Sequence, residues 1–309
     1  MYTKLKKRGQ LQISFAWLFA IIVGAIILFL AIYVSTKVFN TGENATNAKA
    51  GKEISVLSNP LETGFESGIV TLLTLPVESR IYNQCDSSEG NFGFQIIRIS
   101  EQSFGKFPTA NDNLSFPNKY IFSDGISQGK NFFVFSKQFD FPFKVSDLIY
   151  LTSSEKNYCF ADAPNEIKKE LSDLKEQNIF TENCPEKSVK VCFRNSACDI
   201  KVNENLKSVK KKGQTVYYET DALMYAAIFS DKDVYECQVK RLMIRVNTLA
   251  SIYSEKQLAF SSRGCEAEVN VGSLNSAATA VSNSEDLANT ANTADELNRQ
   301  NNVAVCRVW

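Results

Sequence analysis

A run of twenty apolar residues near the N-terminus constrains this chain more than any other feature. The run covers residues 15–34 (FAWLFAIIVGAIILFLAIYV), and no charged side chain occurs from residue 9 to residue 36. A helix of this length crosses the ~30 Å hydrocarbon layer of a bilayer, whereas a soluble core helix is rarely apolar on every face. We therefore expect a membrane-spanning helix at residues 10–39, with the lipid bilayer as its first partner.

The charges beside the run predict its orientation. Four cations stand within residues 1–8, and Lys37 alone follows closely. The positive-inside rule then places residues 1–9 in the cytoplasm as a basic leader and the large C-terminal part outside. A cleavable secretory signal is the alternative, but the apolar run is longer than such signals use, and its exit, residues 33–37, has no small-x-small cleavage site. We interpret it as a retained single-pass anchor.

Residues 6–10 (KKRGQ) directly precede the apolar helix. This pattern resembles the class III signal peptide of archaeal type IV pilin-like proteins. The resemblance covers about 30 residues and implies that a prepilin-type peptidase cuts between Gly9 and Gln10. Many such pilins carry glutamate at the fifth mature position, where this chain has Ser14. The resemblance therefore implies a pilin-like subunit or surface anchor and leaves filament assembly open.

Small residues recur every four positions within the apolar helix. Ala16, Ala20 and Gly24 form one ridge, a geometry that lets two membrane helices approach closely. The ridge predicts a homo- or hetero-oligomer held through the transmembrane helix.

All eight cysteines follow the apolar helix, and their number is even. This distribution is typical of disulfides in an oxidising compartment, and the absence of any C-x-x-C pair disfavours zinc. Spacing does not determine the pairing, although Cys192 with either Cys198 or Cys184 is the closest choice. The expected disulfide cysteines are Cys85, Cys159, Cys184, Cys192, Cys198, Cys237, Cys265 and Cys306.

The chain contains no histidine, which removes the commonest general base and metal ligand. Residues 125–129 (GISQG) match the G-x-S-x-G nucleophile elbow, but Ser127 has no histidine partner, and residues 130–139 read as a strand. We expect a hairpin loop there. The sequence thus predicts no catalytic, cofactor or metal site. The 34 basic and 34 acidic residues give no net field that would favour nucleic acid.

The outer part predicts an α+β fold that is β-rich first and mixed afterwards. Residues 40–58 read as a stalk or a continuation of the helix. Residues 59–160 form the β-rich part, whose short β-branched and aromatic runs are bounded by Gly, Pro, Asn and Ser. The predicted strands cover 68–75, 92–100, 119–122, 131–139 and 147–152.

Residues 161–309 form the predicted mixed part. Helices are expected at 163–177 and 232–256, the second with an apolar seam from Tyr235 to Tyr253 that faces the core. The tail from 273 to 302 reads as a weak helix or a loose excursion. Strands are predicted at 187–194, 199–203 and 215–220, with a hairpin turn at 210–213.

These features favour a non-enzymatic cell-surface protein that acts by binding or assembly. Two alternatives stay open: an anchored extracytoplasmic hydrolase that uses a carboxylate pair, and an accessory subunit of a membrane complex. Asn44 and Asn113 begin N-x-[ST] patterns and are candidate glycosylation sites on an exported surface.

Overall fold

The computed structural model describes residues 15, 17–35, 71–88, 92–110, 113–194, 197–265 and 269–309. The chain divides into two compact units, residues 1–46 and residues 47–309. The first contains helix α1 (Trp17–Ser35), which has a mean hydropathy of 2.8 and none of whose residues is buried. By length and composition, α1 is able to cross a membrane, as the apolar run predicts.

The first described elements of the second unit form a six-stranded sheet in the order β3-β2-β1-β5-β6-β4. Its neighbours are antiparallel except β4 and β6, which are parallel. The sheet contains all five strands predicted in the first half. The strands are β1 (Thr71–Asp86), β2 (Phe94–Glu101), β3 (Leu114–Phe116), β4 (Ile121–Phe122), β5 (Ile126–Asp140) and β6 (Lys144–Ser153).

The G-x-S-x-G segment is part of β5, so the prediction of a hairpin loop is wrong. Residues 126–129 pair with residues 79–82 of β1 in an antiparallel register. The backbone is therefore held in a ladder and makes no strand-to-helix turn of the kind that lifts a nucleophile.

The first sheet curls until its two ends approach each other. The Asn83 amide of β1 donates to the Ile121 carbonyl of β4 at 3.0 Å, and the Ile121 N–H donates to Gln95 Oε1 of β2 at 3.0 Å. The curled face encloses its own apolar core, which consists of Leu73, Leu75, Ile81, Ile97, Ile99, Ile121, Phe132, Val134, Ile149 and Leu151.

A second six-stranded sheet follows, in the order β12-β11-β10-β9-β7-β8. The turn between β11 and β12 contains Lys212 and Gly213, both with positive φ, which confirms the predicted hairpin turn. The strands are β7 (Tyr158–Cys159), β8 (Ile179–Phe180), β9 (Val189–Cys192), β10 (Ile200–Asn203), β11 (Ser208–Lys211) and β12 (Gln214–Tyr217).

Two of the described helices that precede the tail were predicted. They are α2 (Asn165–Leu174) and α4 (Lys232–Ser261), and the seam residues Tyr235, Val239 and Leu242 of α4 are fully buried. The other helix before α4, α3 (Asp221–Phe229), was missed. It contacts strands of both sheets, and each of its residues after Asp221 is buried. A helix that is buried all round shows no amphipathic period.

The tail forms α5 (Val271–Thr279) and α6 (Leu287–Val303), separated by a short 3-10 turn at Ser284–Asp286. Leu287 and Leu297 of α6 are buried in the main core. Of the two predicted possibilities, the helical one is therefore correct, because the two leucines recur on one helical face and bury it.

The eight cysteines form four disulfides, Cys85–Cys237, Cys159–Cys184, Cys192–Cys198 and Cys265–Cys306. Cys192 bonds Cys198, one of the two partners that the sequence left open. The alternative partner, Cys184, instead bonds Cys159, because β7 and β8 are adjacent parallel strands and Cys184 follows β8 closely.

Candidate functional site

A groove of about 430 Å³ lies where α2, β5 and α3 meet. This is within the size range of small-molecule and peptide pockets. Its apolar walls are aromatic and aliphatic, and its rim carries charges of both signs. The lining residues are Phe135, Ser136, Lys137, Glu166, Lys169, Glu170, Asp173, Leu174 and Tyr225.

Helix α2 supplies most of the charged rim. Pro164 precedes its first turn, and Ile167 and Leu171 are buried one turn apart. Burial of that stripe leaves the flanking positions of the helix facing the groove and solvent. Lys175 ends the helix in the left-handed conformation.

Glu170 is the centre of a hydrogen-bonded triad in the groove. One carboxylate oxygen forms a salt bridge with Lys137, and the other accepts from the Tyr225 hydroxyl at 3.1 Å. The Lys137 Nζ also lies 5.5 Å from the centre of the Tyr225 ring. Burial, and secondarily the Glu170 carboxylate, raises the pKa of Tyr225, so the hydroxyl stays a hydrogen-bond donor.

The acidic side chains of the groove differ in their surroundings. Both oxygens of Glu170 are engaged within the triad, whereas Glu166 and Asp173 beside it are exposed to solvent. The groove therefore combines a hydrogen-bonded polar triad with aromatic and aliphatic walls.

A second charged cluster joins the two sheets. Asp124, just after β4, accepts from Lys156 and, at 2.8 Å, from Lys211 of β11. Asp231, between α3 and α4, pairs with Lys212 at 2.8 Å and accepts from the Gly125 N–H at 2.9 Å. Four separate segments of the chain are thereby held together.

The charges of this cluster are mutually satisfied. Burial alone would raise the pKa of Asp124, but the two lysines more than offset it and hold the pKa below its ordinary value. Burial lowers the pKa of Lys211, opposed by Asp124. Ser127 lines a cavity of about 130 Å³ with Asp124 and Lys156. The Lys156 ammonium group forms a salt bridge with Asp124. The cluster is accordingly a structural clamp.

The structure places the predicted site residues as follows. Gly9, Gln10, Ala16 and Asn44 lie outside the described residues. Ala20 and Gly24 lie on the exposed surface of α1, and a Cβ added at Gly24 would meet no atom within 4 Å.

Asn113 is exposed immediately before β3, where a glycan would be accessible. Within the described ranges, no three His, Cys, Asp or Glu side chains are grouped to hold a metal ion. Sequence reasoning missed both charged clusters. The predicted α2 could have indicated a charged face at Glu170, but no sequence signal points to Tyr225 or Lys137 as its partners.

Comparisons with protein-family profiles, with curated proteins and with solved structures find no match to this chain.

Glu176, two residues after α2, is a buried acid with an unusual pKa. Its side chain is 6% exposed, and neither carboxylate oxygen has a hydrogen-bond partner among the described residues. Burial raises its pKa from 4.5 to about 8. The folded state therefore holds a proton that the unfolded chain releases at much lower pH.

We expect this proton to make the domain less stable in alkali. The loss of stability is absent below the pKa that Glu176 has in the unfolded chain. It grows as the pH rises above that value and is complete above the pKa of Glu176 in the folded state. The free energy of unfolding should fall by roughly 4 kcal/mol from about pH 5 to about pH 9 through this group alone. Urea unfolding across that range measures it. Glu176→Gln, which cannot ionise, should remove most of the fall; an unchanged pH profile in this variant would contradict the assignment.

Proposed function

We propose that the chain is a single-pass membrane protein with a cytoplasmic N-terminus and an external, disulfide-bonded domain that acts by binding or assembly. The observation that carries the proposal is α1, a helix of 19 residues with a mean hydropathy of 2.8 and no buried residue. Apolar side chains exposed on every face of a helix are stable in lipid and costly in water. The four disulfides support an oxidising location for the domain.

Fractionation and thiol labelling of the full-length protein test this location. The chain should stay with membranes after alkaline carbonate extraction, and its cysteines should react with maleimide only after denaturation and reduction. Protease added to intact cells should remove the C-terminal domain. A matched variant with Ile26→Lys and Phe29→Lys should lose membrane retention. Recovery of the unaltered chain from cytosol with free thiols would refute the proposal.

A narrower proposal is that the chain is a pilin-like subunit or surface anchor processed by a prepilin-type peptidase. Its support is the basic residues, Gly9 and Gln10 directly ahead of the apolar run. N-terminal sequencing of the membrane-bound protein should find Gln10 first, and Gly9→Val should leave the leader attached. A mature chain that begins at Met1 would remove peptidase processing without affecting anchoring.

We also propose that α1 mediates assembly through its small-residue ridge. Gly24 is open on its surface, so a partner helix can approach the backbone there. Ala20→Ile should reduce cross-linked oligomers in native membranes. Ala25→Ile adds the same bulk on a neighbouring face and is the control. Equal cross-linking in both variants would exclude this face.

The groove is the part of the external domain that we propose as its contact surface. The apolar walls and the fixed Lys137–Glu170–Tyr225 triad support recognition of a polar group beside an apolar one. The hydrolase alternative expects two carboxyl groups free to share proton transfer. The engagement of both Glu170 oxygens favours binding.

A further inference from the structure

The turn between β2 and β3 presents an almost completely exposed phenylalanine. Phe104 is 97% exposed and has a φ of 49°, and Gly105 beside it has a φ of 74°. The left-handed region is unfavourable for a bulky side chain, and Gly, Asn or Asp would occupy the turn at lower cost. A strained and exposed aromatic ring suggests a function that needs it there.

Backbone hydrogen bonds hold Phe104 in its exposed position. The Ser103 N–H donates to the Lys106 carbonyl at 2.8 Å, and the Lys106 N–H donates back to the Ser103 carbonyl at 3.0 Å. The Gln102 N–H donates to the Glu78 carbonyl of β1 at 2.8 Å. These bonds hold the turn against the first sheet with the ring pointing away from the domain.

The surroundings of Phe104 combine apolar and basic groups. Val77 is 40% exposed in β1, next to the residue whose carbonyl anchors the turn. Lys106 is exposed at the end of the turn, and the Arg80 guanidinium lies 4.1 Å from the centre of the Phe107 ring. Glu78 and Glu101, at the base of the turn, are only partly exposed. An aromatic tip flanked by cations is the composition of segments that rest in a membrane interface.

We propose that the Ser103–Lys106 turn docks on a lipid surface, with the Phe104 ring inserted at the level of the headgroups. This inference rests on the proposed membrane anchorage, which keeps the external domain near a bilayer. The turn would act as a second, reversible contact that restrains the domain. One aromatic ring is too small a contact to hold a protein at a membrane alone, but it is sufficient to orient one that is already tethered.

Tryptophan quenching in proteoliposomes tests this contact in the full-length chain. Phe104→Trp is compared with Leu206→Trp in vesicles made of brominated phosphatidylcholine and phosphatidylglycerol. Leu206 is a matched control because it is 66% exposed in the β10–β11 turn and is followed by Lys207, as Phe104 is followed closely by Lys106. The fluorescence added by Phe104→Trp should be quenched about twofold more than that added by Leu206→Trp.

A quenching measurement on the unaltered chain distinguishes failure of the membrane anchorage from failure of the docking proposal. The chain holds two tryptophans, Trp17 in α1 and Trp309 in the external domain, so the quenched fluorescence that Trp17→Phe removes reports whether the helix is in the bilayer. Loss of Trp17 quenching would refute the anchorage itself. Quenched Trp17 with equal signals from the two turn variants would overturn the docking proposal alone, and would leave a protein partner as the occupant of the turn.

A further variant shows that the effect is not a folding defect. Phe104→Asn places a residue that tolerates positive φ in the same turn, so its unfolding temperature should be no lower than that of the unaltered chain. Its external domain should nevertheless be cleaved faster by protease in the proteoliposomes. Equal cleavage of the two proteins would also count against docking.

Discussion

Replacement of Cys85 and Cys237 by serine is expected to lower the free energy of unfolding by about 5 kcal/mol under non-reducing conditions. This disulfide connects residues 152 positions apart, and its loss frees a large loop in the unfolded chain. It also joins β1 to α4, beside the Gln238 side chain that donates to Gln95 of β2. The bond therefore stabilises the docking of the longest helix on the first sheet.

Urea unfolding with the Cys192→Ser, Cys198→Ser double variant is the matched control. That disulfide spans only 6 positions, so the chain-entropy argument gives a loss of about 2 kcal/mol. A variant of the Cys85–Cys237 pair that is recovered only unfolded, while the control folds, agrees with the prediction. Equal losses for the two pairs would show that loop length does not govern the stabilisation.

Asp124→Asn is expected to destabilise the domain by about 3–5 kcal/mol, the range seen when one partner is removed from a buried ion pair. The change leaves Lys156 and Lys211 without their shared carboxylate. The Lys211 side chain is only 12% exposed, so water replaces the lost interaction poorly. Chemical denaturation at neutral pH measures the loss.

Lys212→Met is the control for this prediction because the Lys212 side chain is 66% exposed in its pair with Asp231. Its loss should cost no more than about 1 kcal/mol. The pH dependence adds a second criterion. The pKa of Asp124 is lowered on folding, so its stabilisation is present above the unfolded value of 3.8 and is lost as the pH falls through the folded value. The unaltered chain should lose this stability in acid, and Asp124→Asn should not.

Local patterns predicted much of the secondary structure. The β-branched and aromatic runs of the first half correspond to β1, β2, β4, β5 and β6. The two segments with apolar residues at helical spacing correspond to α2 and α4. Segments that are buried on one face repeat with the period of their own backbone, which a sequence displays directly. Residues 222–229 lack that signal because they are buried on all faces, and α3 was missed for this reason.

Contacts between distant segments could not be predicted in this way. Arg241 of α4 is fully buried, although its neighbours in sequence give no indication of it. Its guanidinium donates to the carbonyls of Phe92, Lys119 and Pro117, each at 2.9 Å, and lies 4.7 Å from the centre of the Tyr120 ring. Burial lowers the pKa of Arg241 to about 10, and the charge is satisfied by backbone dipoles from loops more than a hundred residues away.

The sequence by itself determined the apolar helix, the strand and helix periods, and the presence of enough cysteines for complete pairing. These properties depend on the free energy of transferring single side chains and on repeats within one segment. Only the tertiary structure decided which cysteines pair, how Glu170 meets Lys137 and Tyr225, and how Asp124 is shared by two lysines. Such contacts depend on the closure of long loops, whose partners are selected by the packing of the whole domain.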